Sequence, residues 1–195
     1  ALMMTGLTVA AQSSPGVPRP APGDVKAMLF EIGNSMGMLR SPDRTRRVED
    51  SIVTLEMWAK GTMTVNGQMS DVPEYRASVN YVYPGLREDV TRVTGAGKTR
   101  QVQVVNQTLA WNETAPGMNP TPAPSQAVRE RLVQLWTTPF GIYKAGAAAG
   151  EKAKLEAGNT VLTFPLPAPV NDVMVRATLG TDSKHLAVKH DLALP

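Results

Sequence analysis

The stretch Tyr75–Arg92, YRASVNYVYPGLREDVTR, contains the clearest strand and turn pattern of this chain. Its first half places an apolar or aromatic side chain at every second position, namely Tyr75, Ala77, Val79, Tyr81 and Tyr83. A period of two is typical of a β-strand that lays one face on a core. Pro84-Gly85 then predicts a turn, and Leu86–Val93 predicts a returning strand. The stretch therefore predicts an antiparallel hairpin.

The strand-and-turn pattern continues on both sides of this hairpin. Upstream, a strand that begins at Ile52 leads to Asn66-Gly67, a strong signal for a two-residue hairpin turn. Downstream, two further strands are predicted after short turns, at Thr99–Val105 and Thr108–Glu113. A later group of three strands is predicted at Thr160–Leu166, Val173–Leu179 and His185–Leu192. Short connections of this kind predict an antiparallel meander.

Three helices interrupt the strands. Asp24 is a good N-cap, and apolar residues at helical spacing follow it from Val25 to Leu39, so a helix is predicted to end near Arg40. A second helix is predicted after Ser125, and Thr138-Pro139 predicts the start of a third that runs to about Ala149. The fold class is therefore α+β, with a single curved antiparallel sheet and the N-terminal and two central helices on its concave face.

The two ends of the chain suggest export and a longer reading frame. Residues 1–11 are apolar and end in small residues, which is typical of the back half of a signal peptide cleaved before Gln12. Residues 12–23 form a Pro/Gly/Ser linker, and 24–195 are predicted to be one domain. The strand pattern persists to Leu194-Pro195, which predicts a truncated C-terminus. We therefore expect a periplasmic or secreted bacterial protein.

Composition excludes several classes of function. The chain has 195 residues and no cysteine, so disulfides, zinc–thiolate sites and cysteine nucleophiles are absent. No apolar run reaches the roughly 18 residues that a membrane-spanning helix needs. The net charge is only +3 and the basic residues are scattered, so a nucleic-acid surface is not expected. No cofactor is predicted.

The candidate catalytic motifs fail on spacing. Gly95–Thr99 resembles the end of a phosphate-binding loop, but the required earlier glycine is Arg92 and a strand follows, so a hairpin turn is predicted. His185 and His190 lie five residues apart on a predicted strand, so they point to opposite faces and cannot easily share a metal. Asp191 directly follows His190 and therefore also points to the face opposite to it. Four carboxylates could form an acid/base pair, but a solvated face is the favoured interpretation: Glu56, Glu74, Glu88 and Asp89. The sequence therefore predicts a protein without catalytic activity.

The order of elements resembles the LolA/LolB-like fold of periplasmic lipoprotein carriers, an unclosed β-barrel with helices as a lid. That resemblance covers residues 24–195 and implies an apolar cleft for a lipid or the acyl chain of a lipoprotein. Methionine and aromatic side chains suit such a cleft, although they suit an ordinary core equally well. The predicted lining residues are Met28, Ile32, Met36, Met57, Tyr81, Leu132 and Trp136.

A second, local resemblance supports an alternative function. Four stretches are similar to an N-terminal domain of some exported metallo-β-lactamase-fold hydrolases: Tyr75–Arg92, Gln103–Glu113, Val128–Trp136 and Val161–Pro167. The H-x-H-x-D-H zinc motif of those hydrolases is absent from this chain. The resemblance implies an accessory domain of a larger secreted hydrolase, with a structural or dimerising role and a homodimer as the expected partner.

Overall fold

The computed structural model describes residues 23–38, 52–65, 67–156, 158, 160–179 and 189–193. The elements in chain order are α1 Val25–Ser35, β1 Thr54–Val65, β2 Gln68–Asn80, β3 Gly85–Thr94, β4 Gly97–Asn106, β5 Leu109–Glu113, β6 Thr121–Pro122, α2 Gln126–Trp136, α3 Pro139–Ala149, β7 Lys154–Glu156, β8 Val161–Pro165, β9 Met174–Thr178 and β10 Lys189–Ala193. The predicted signal segment, nearly all of the predicted linker and His185 lie outside the described residues.

The strands form two antiparallel sheets. The first runs β1-β2-β3-β4-β5-β6 and is open, with β1 and β6 at its edges, and the second runs β10-β9-β8-β7. The α+β class and the antiparallel meander are thus confirmed. The sequence predicted one sheet with all three helices on its concave face, but the described strands hydrogen-bond in two sheets. The ladder of the first sheet ends at β6, and β7 pairs with β8 at the edge of the second.

The described chain divides into two compact units. The first spans 53–135 and contains the six-stranded sheet with nearly all of α2. Its core consists of alternate residues of β2, β3 and β4 together with Leu132 and Leu135 of α2. The second unit contains α1, α3 and the four-stranded sheet.

The second unit is organised around a close approach of helices and sheet at Gly146. A Cβ atom at this position of α3 would lie 3.3 Å from Leu29 Cδ2 of α1 and 3.4 Å from Leu162 Cδ2 of β8. The buried rings and aliphatic chains of Phe164, Ile142 and Val175 complete this core. Glycine therefore lets α3 pack against α1 and the sheet at once.

The helix ends agree with the capping signals, with one correction. Asp24 Oδ1 accepts from Ala27 N–H at 2.9 Å, and Thr138 Oγ1 accepts from Gly141 N–H at 3.1 Å, so both predicted N-caps are confirmed. The prediction that α1 reaches Arg40 is wrong, because the helix ends at Ser35. Gly37 adopts φ +69°, and Met38 N–H donates back to Gly33 O at 2.8 Å, which is the geometry of a glycine-terminated helix.

Two strand boundaries also differ from the sequence pattern. β2 begins at Gln68 and carries a bulge between Asp71 and Glu74, where Pro73, which has no N–H to donate, is tolerated. The strand ends at Asn80, so Tyr83 lies in the turn and is 65% exposed, outside the face on which it was predicted. The short strands β6 and β7 had no clear signal in the sequence.

Candidate functional site

A polar cluster lies beneath α2, on the face of the first sheet that otherwise forms the core. Glu88 and Arg92 alternate with Leu86 and Val90 along β3, so all four side chains share that face. Arg131 and Gln134 are three residues apart on α2 and project from the same side of the helix. Strand and helix periodicity together therefore bring acidic, basic and amide groups into one buried region.

Glu88 is the buried carboxyl group of this cluster, with 7% of its surface exposed. Its Oε1 accepts a hydrogen bond from Gln134 Nε2 at 2.8 Å, and the Tyr75 hydroxyl donates a second. Burial raises the pKa of Glu88 above its usual range, and these hydrogen bonds with the charges of Arg131 and Arg92 offset only part of that effect. Burial and the Glu88 charge also raise the pKa of Tyr75, which therefore remains a donor.

Arg131 links α2 to two strands. Its Nη1 donates to Val104 O and Trp111 O, both at 2.8 Å, and its Nη2 donates to Asn112 Oδ1 at 2.6 Å. The residue is only 7% exposed, and burial lowers its pKa, which the nearby Glu88 charge partly offsets. The guanidinium therefore joins α2 to a backbone carbonyl group of β4 and to one of β5, at the position where these two strands pair.

Glu113 forms a separate network with the loop that follows β5. Arg87 Nη2 and Trp111 Nε1 donate to its Oε1 at 2.8 and 2.7 Å, and Gly117 N–H donates to its Oε2 at 2.6 Å. Burial by itself would raise the pKa of Glu113, but the three donors and the Arg87 charge outweigh it, so the pKa lies below the usual value. This carboxylate is thus held in its charged form.

In these networks the titratable side chains cross-link secondary-structure elements of the first unit. Each carboxylate oxygen and guanidinium nitrogen named above is bonded to a group of the same unit. Among the described residues, no group of three or more His, Asp or Glu side chains is placed to hold a metal ion. Among the described helices, none combines the length and the apolar character of a membrane-spanning segment.

The solvated-face interpretation of the four carboxylates is correct for two of them and wrong for two. Glu56 and Glu74 are exposed, and Glu56 pairs with Arg76 at 3.0 Å. Glu88 and Asp89 are buried, and because they are adjacent on β3 they point to opposite faces. Asp89 accepts from Arg100 Nε at 2.8 Å on the face away from α2. The alternation of Glu88 with Leu86 and Val90 was the signal that could have shown its burial.

The structure places the seven predicted cleft residues in both units. Met57, Tyr81 and Leu132 belong to the first unit, and the second contains Met28, Ile32, Met36 and Trp136. Ile32, Tyr81, Leu132 and Trp136 are buried, with at most 6% of their surface exposed. The three methionines are half-buried. Within the first unit, Met57 is therefore the predicted residue that a ligand could reach.

Met57 lies in the middle of an apolar strip on β1. Leu55, Met57 and Ala59 lie opposite Val79, Ala77 and Tyr75 of β2 in the antiparallel register. Ala77 and Val79 are buried, whereas the three β1 residues remain half-exposed. The hydrogen bonds of α2 reach β3, β4 and β5, so they fasten the helix away from this edge. We refer to Leu55, Met57 and Ala59 as the β1 strip.

The two other motifs have simple structural outcomes. The phosphate-loop-like segment is the β3–β4 hairpin, whose strands pair up to Thr94 and Gly97, so the predicted turn is confirmed. His190 lies on β10 opposite Ala177. The adjacent Asp191 lies opposite Arg176.

No protein-family model, no curated protein and no solved structure matches this chain.

The raised pKa of Glu88 predicts a specific dependence of stability on pH. A folded carboxyl group with a raised pKa holds its proton more tightly than the unfolded chain does, so its contribution falls as pH rises from the unfolded pKa through the folded one. We expect Glu88→Gln to match the wild type near pH 4 and to be the more stable protein at pH 7. Urea unfolding of both proteins between these pH values measures the difference.

The comparison isolates one group, because the other carboxylates titrate equally in both proteins. Glu113, with a lowered pKa, contributes the opposite slope to each of them. A wild type that gains stability over the variant as the pH rises would contradict the assignment.

Proposed function

We propose that this chain is an exported, non-catalytic binding domain that holds an apolar ligand, such as a lipid acyl chain, in an open half-barrel of the LolA/LolB type. The observation that carries the proposal is the β1 strip, where the core face of an open sheet stays partly exposed. A ligand that covers Leu55, Met57 and Ala59 would gain roughly 25 cal/mol for each Å² of apolar surface removed from water.

The side chains of the β1 strip suit a chain-like ligand. Methionine is unbranched and polarizable, so it adapts to ligands of varied shape.

Titration with an environment-sensitive fluorescent fatty acid tests this function. We expect saturable binding to the wild type, and binding at least about tenfold weaker to Met57→Ser, because a buried apolar side chain contributes about 1.5–3 kcal/mol. Trp58→Ser is the matched control, since Trp58 is the next residue on β1, is 66% exposed and points to the opposite face. Circular dichroism checks that both variants fold.

Equal binding by both variants, or no uptake by the wild type, would refute the β1 strip as the ligand site.

A further inference from the structure

One end of the first sheet exposes a group of apolar side chains. Val53 precedes β1, Val82 and Tyr83 lie in the β2–β3 turn, and Leu109 begins β5. Their exposed fractions are 47%, 58%, 65% and 67%. We refer to these four residues as the apolar tip. Isolated exposed apolar residues are ordinary, but a group of them at one end of a sheet indicates an interaction surface.

Backbone hydrogen bonds join the segments of the tip. Tyr81 N–H donates to Val53 O at 3.0 Å, which ties the β2–β3 turn to the start of β1. Gln107 N–H donates to Pro84 O at 2.7 Å, which ties the same turn to the β4–β5 turn. Leu109 pairs with Asn106 at the base of that second turn. Backbone hydrogen bonds therefore hold the three segments of the tip together at one end of the sheet.

The β2–β3 turn satisfies its own backbone donors. Asn80 Oδ1 accepts from Val82 N–H at 2.9 Å and from Tyr83 N–H at 3.0 Å. Tyr81 N–H is bonded to Val53, and Pro84 has no N–H. From Tyr81 to Pro84, each backbone donor is thus bonded inside the molecule. Such a turn can move from water into an apolar surrounding without the free-energy cost of burying an unpaired donor.

The tip also carries no charge. Neither Ile52–Thr54, nor Asn80–Gly85, nor Asn106–Leu109 contains an acidic or basic residue. The opposite end of the sheet differs, because its shallow depression between β1, β2 and β3 includes Lys60 and Asp71. Of the two ends of the described sheet, the one that carries the tip is therefore better suited to an apolar surrounding.

We propose that the apolar tip inserts into the interfacial region of a lipid bilayer. A protein partner can supply hydrogen bonds to open backbone donors, but hydrocarbon cannot, so the internal bonding of the donors in this turn favours lipid. Tyr83 suits this depth because an aromatic ring with a polar hydroxyl prefers the boundary between lipid and water. The proposal does not depend on the β1 strip.

The absence of cysteine allows a site-specific test on the full chain. Thr108→Cys, in the β4–β5 turn, is labelled with an environment-sensitive fluorophore and mixed with phosphatidylcholine vesicles. Ala96→Cys, in the β3–β4 turn at the other end of β4, is the matched control. We expect a blue shift and quenching by nitroxide-labelled lipid at position 108 and neither at position 96. The signal should persist at about 0.5 M salt, where surface charges are screened.

Variants of the tip measure its contribution. Val82→Ser combined with Leu109→Ser should weaken vesicle binding of the labelled protein at least about tenfold. Met69→Ser should leave it unchanged, since Met69 is 74% exposed but lies at the other end of β2.

Three results would overturn the proposal. The first is a fluorescence signal at position 108 that vesicles leave unchanged, and the second is an equal signal at position 96. The third is that the wild type forms dimers without lipid and the tip variant is monomeric, which would identify a second copy of the chain as the occupant. A chain that binds the fatty-acid probe but not vesicles would refute the tip and leave the β1 strip standing.

Discussion

Arg131→Ala is expected to lower the free energy of unfolding by about 3–5 kcal/mol, because it breaks a buried, charge-assisted network. The guanidinium makes three hydrogen bonds, to Val104 O, Trp111 O and Asn112 Oδ1. Alanine leaves these three acceptors under α2 without their donor. It also removes a positive charge that partly offsets the burial of Glu88.

Urea unfolding of the variant measures this loss, with Arg76→Ala as the matched control. Arg76 pairs with Glu56 at 3.0 Å, but the two side chains are 50% and 44% exposed. Exposed ion pairs contribute about 0–1 kcal/mol, so the control should stay within that range. Similar losses in the two variants would show that Arg131 is not a buried cross-link.

Phe164→Ala is expected to destabilise the second unit by about 3–5 kcal/mol, since it removes a large ring from a close-packed core. Phe164 is fully buried on β8. Its Cε1 lies 3.6 Å from the position of a Cβ on Gly146, where α3 packs. Leu29 and Leu162 lie closer still to that position, so they keep the helix from moving into the space that the ring would leave.

Met174→Ala is the control for this prediction. Met174 lies on the neighbouring strand β9, opposite Pro165, and is 46% exposed, so its truncation should cost less than about 1 kcal/mol. Thermal and urea unfolding compare the two variants. A loss below about 1 kcal/mol for Phe164→Ala would mean that this core is loosely packed.

The Arg131 and Glu88 networks show why part of the candidate site was hidden in the sequence. Glu88 and Asp89 were grouped as solvated carboxylates because a lone charged residue is usually exposed. Whether a residue of β3 is buried depends on which face α2 covers, and Gln134 is 46 positions away from Glu88 along the chain. The alternation with Leu86 and Val90 places Glu88 on the core face, but a contact over that separation leaves no local pattern that identifies its partner.

Local chemistry, in contrast, predicted most elements. Several elements depend on interactions within a few residues and can therefore be predicted from their residue types, namely the caps Asp24 and Thr138, the β3–β4 hairpin turn and the alternating strands. The end of α1 was misjudged for a local reason as well. Gly37 stands inside the predicted helix, whereas its positive φ terminates the helix in the structure.

The α+β class, the antiparallel pairing and most strand boundaries could be predicted from the amino-acid sequence, because alternation, turn residues and caps act over short distances. The division of the strands into two sheets, the common burial of Glu88 and Arg131, and the exposure of the β1 strip and the apolar tip emerged from the folded structure. Burial depends on which surfaces meet after the chain has folded, and that depends on contacts between residues far apart in sequence.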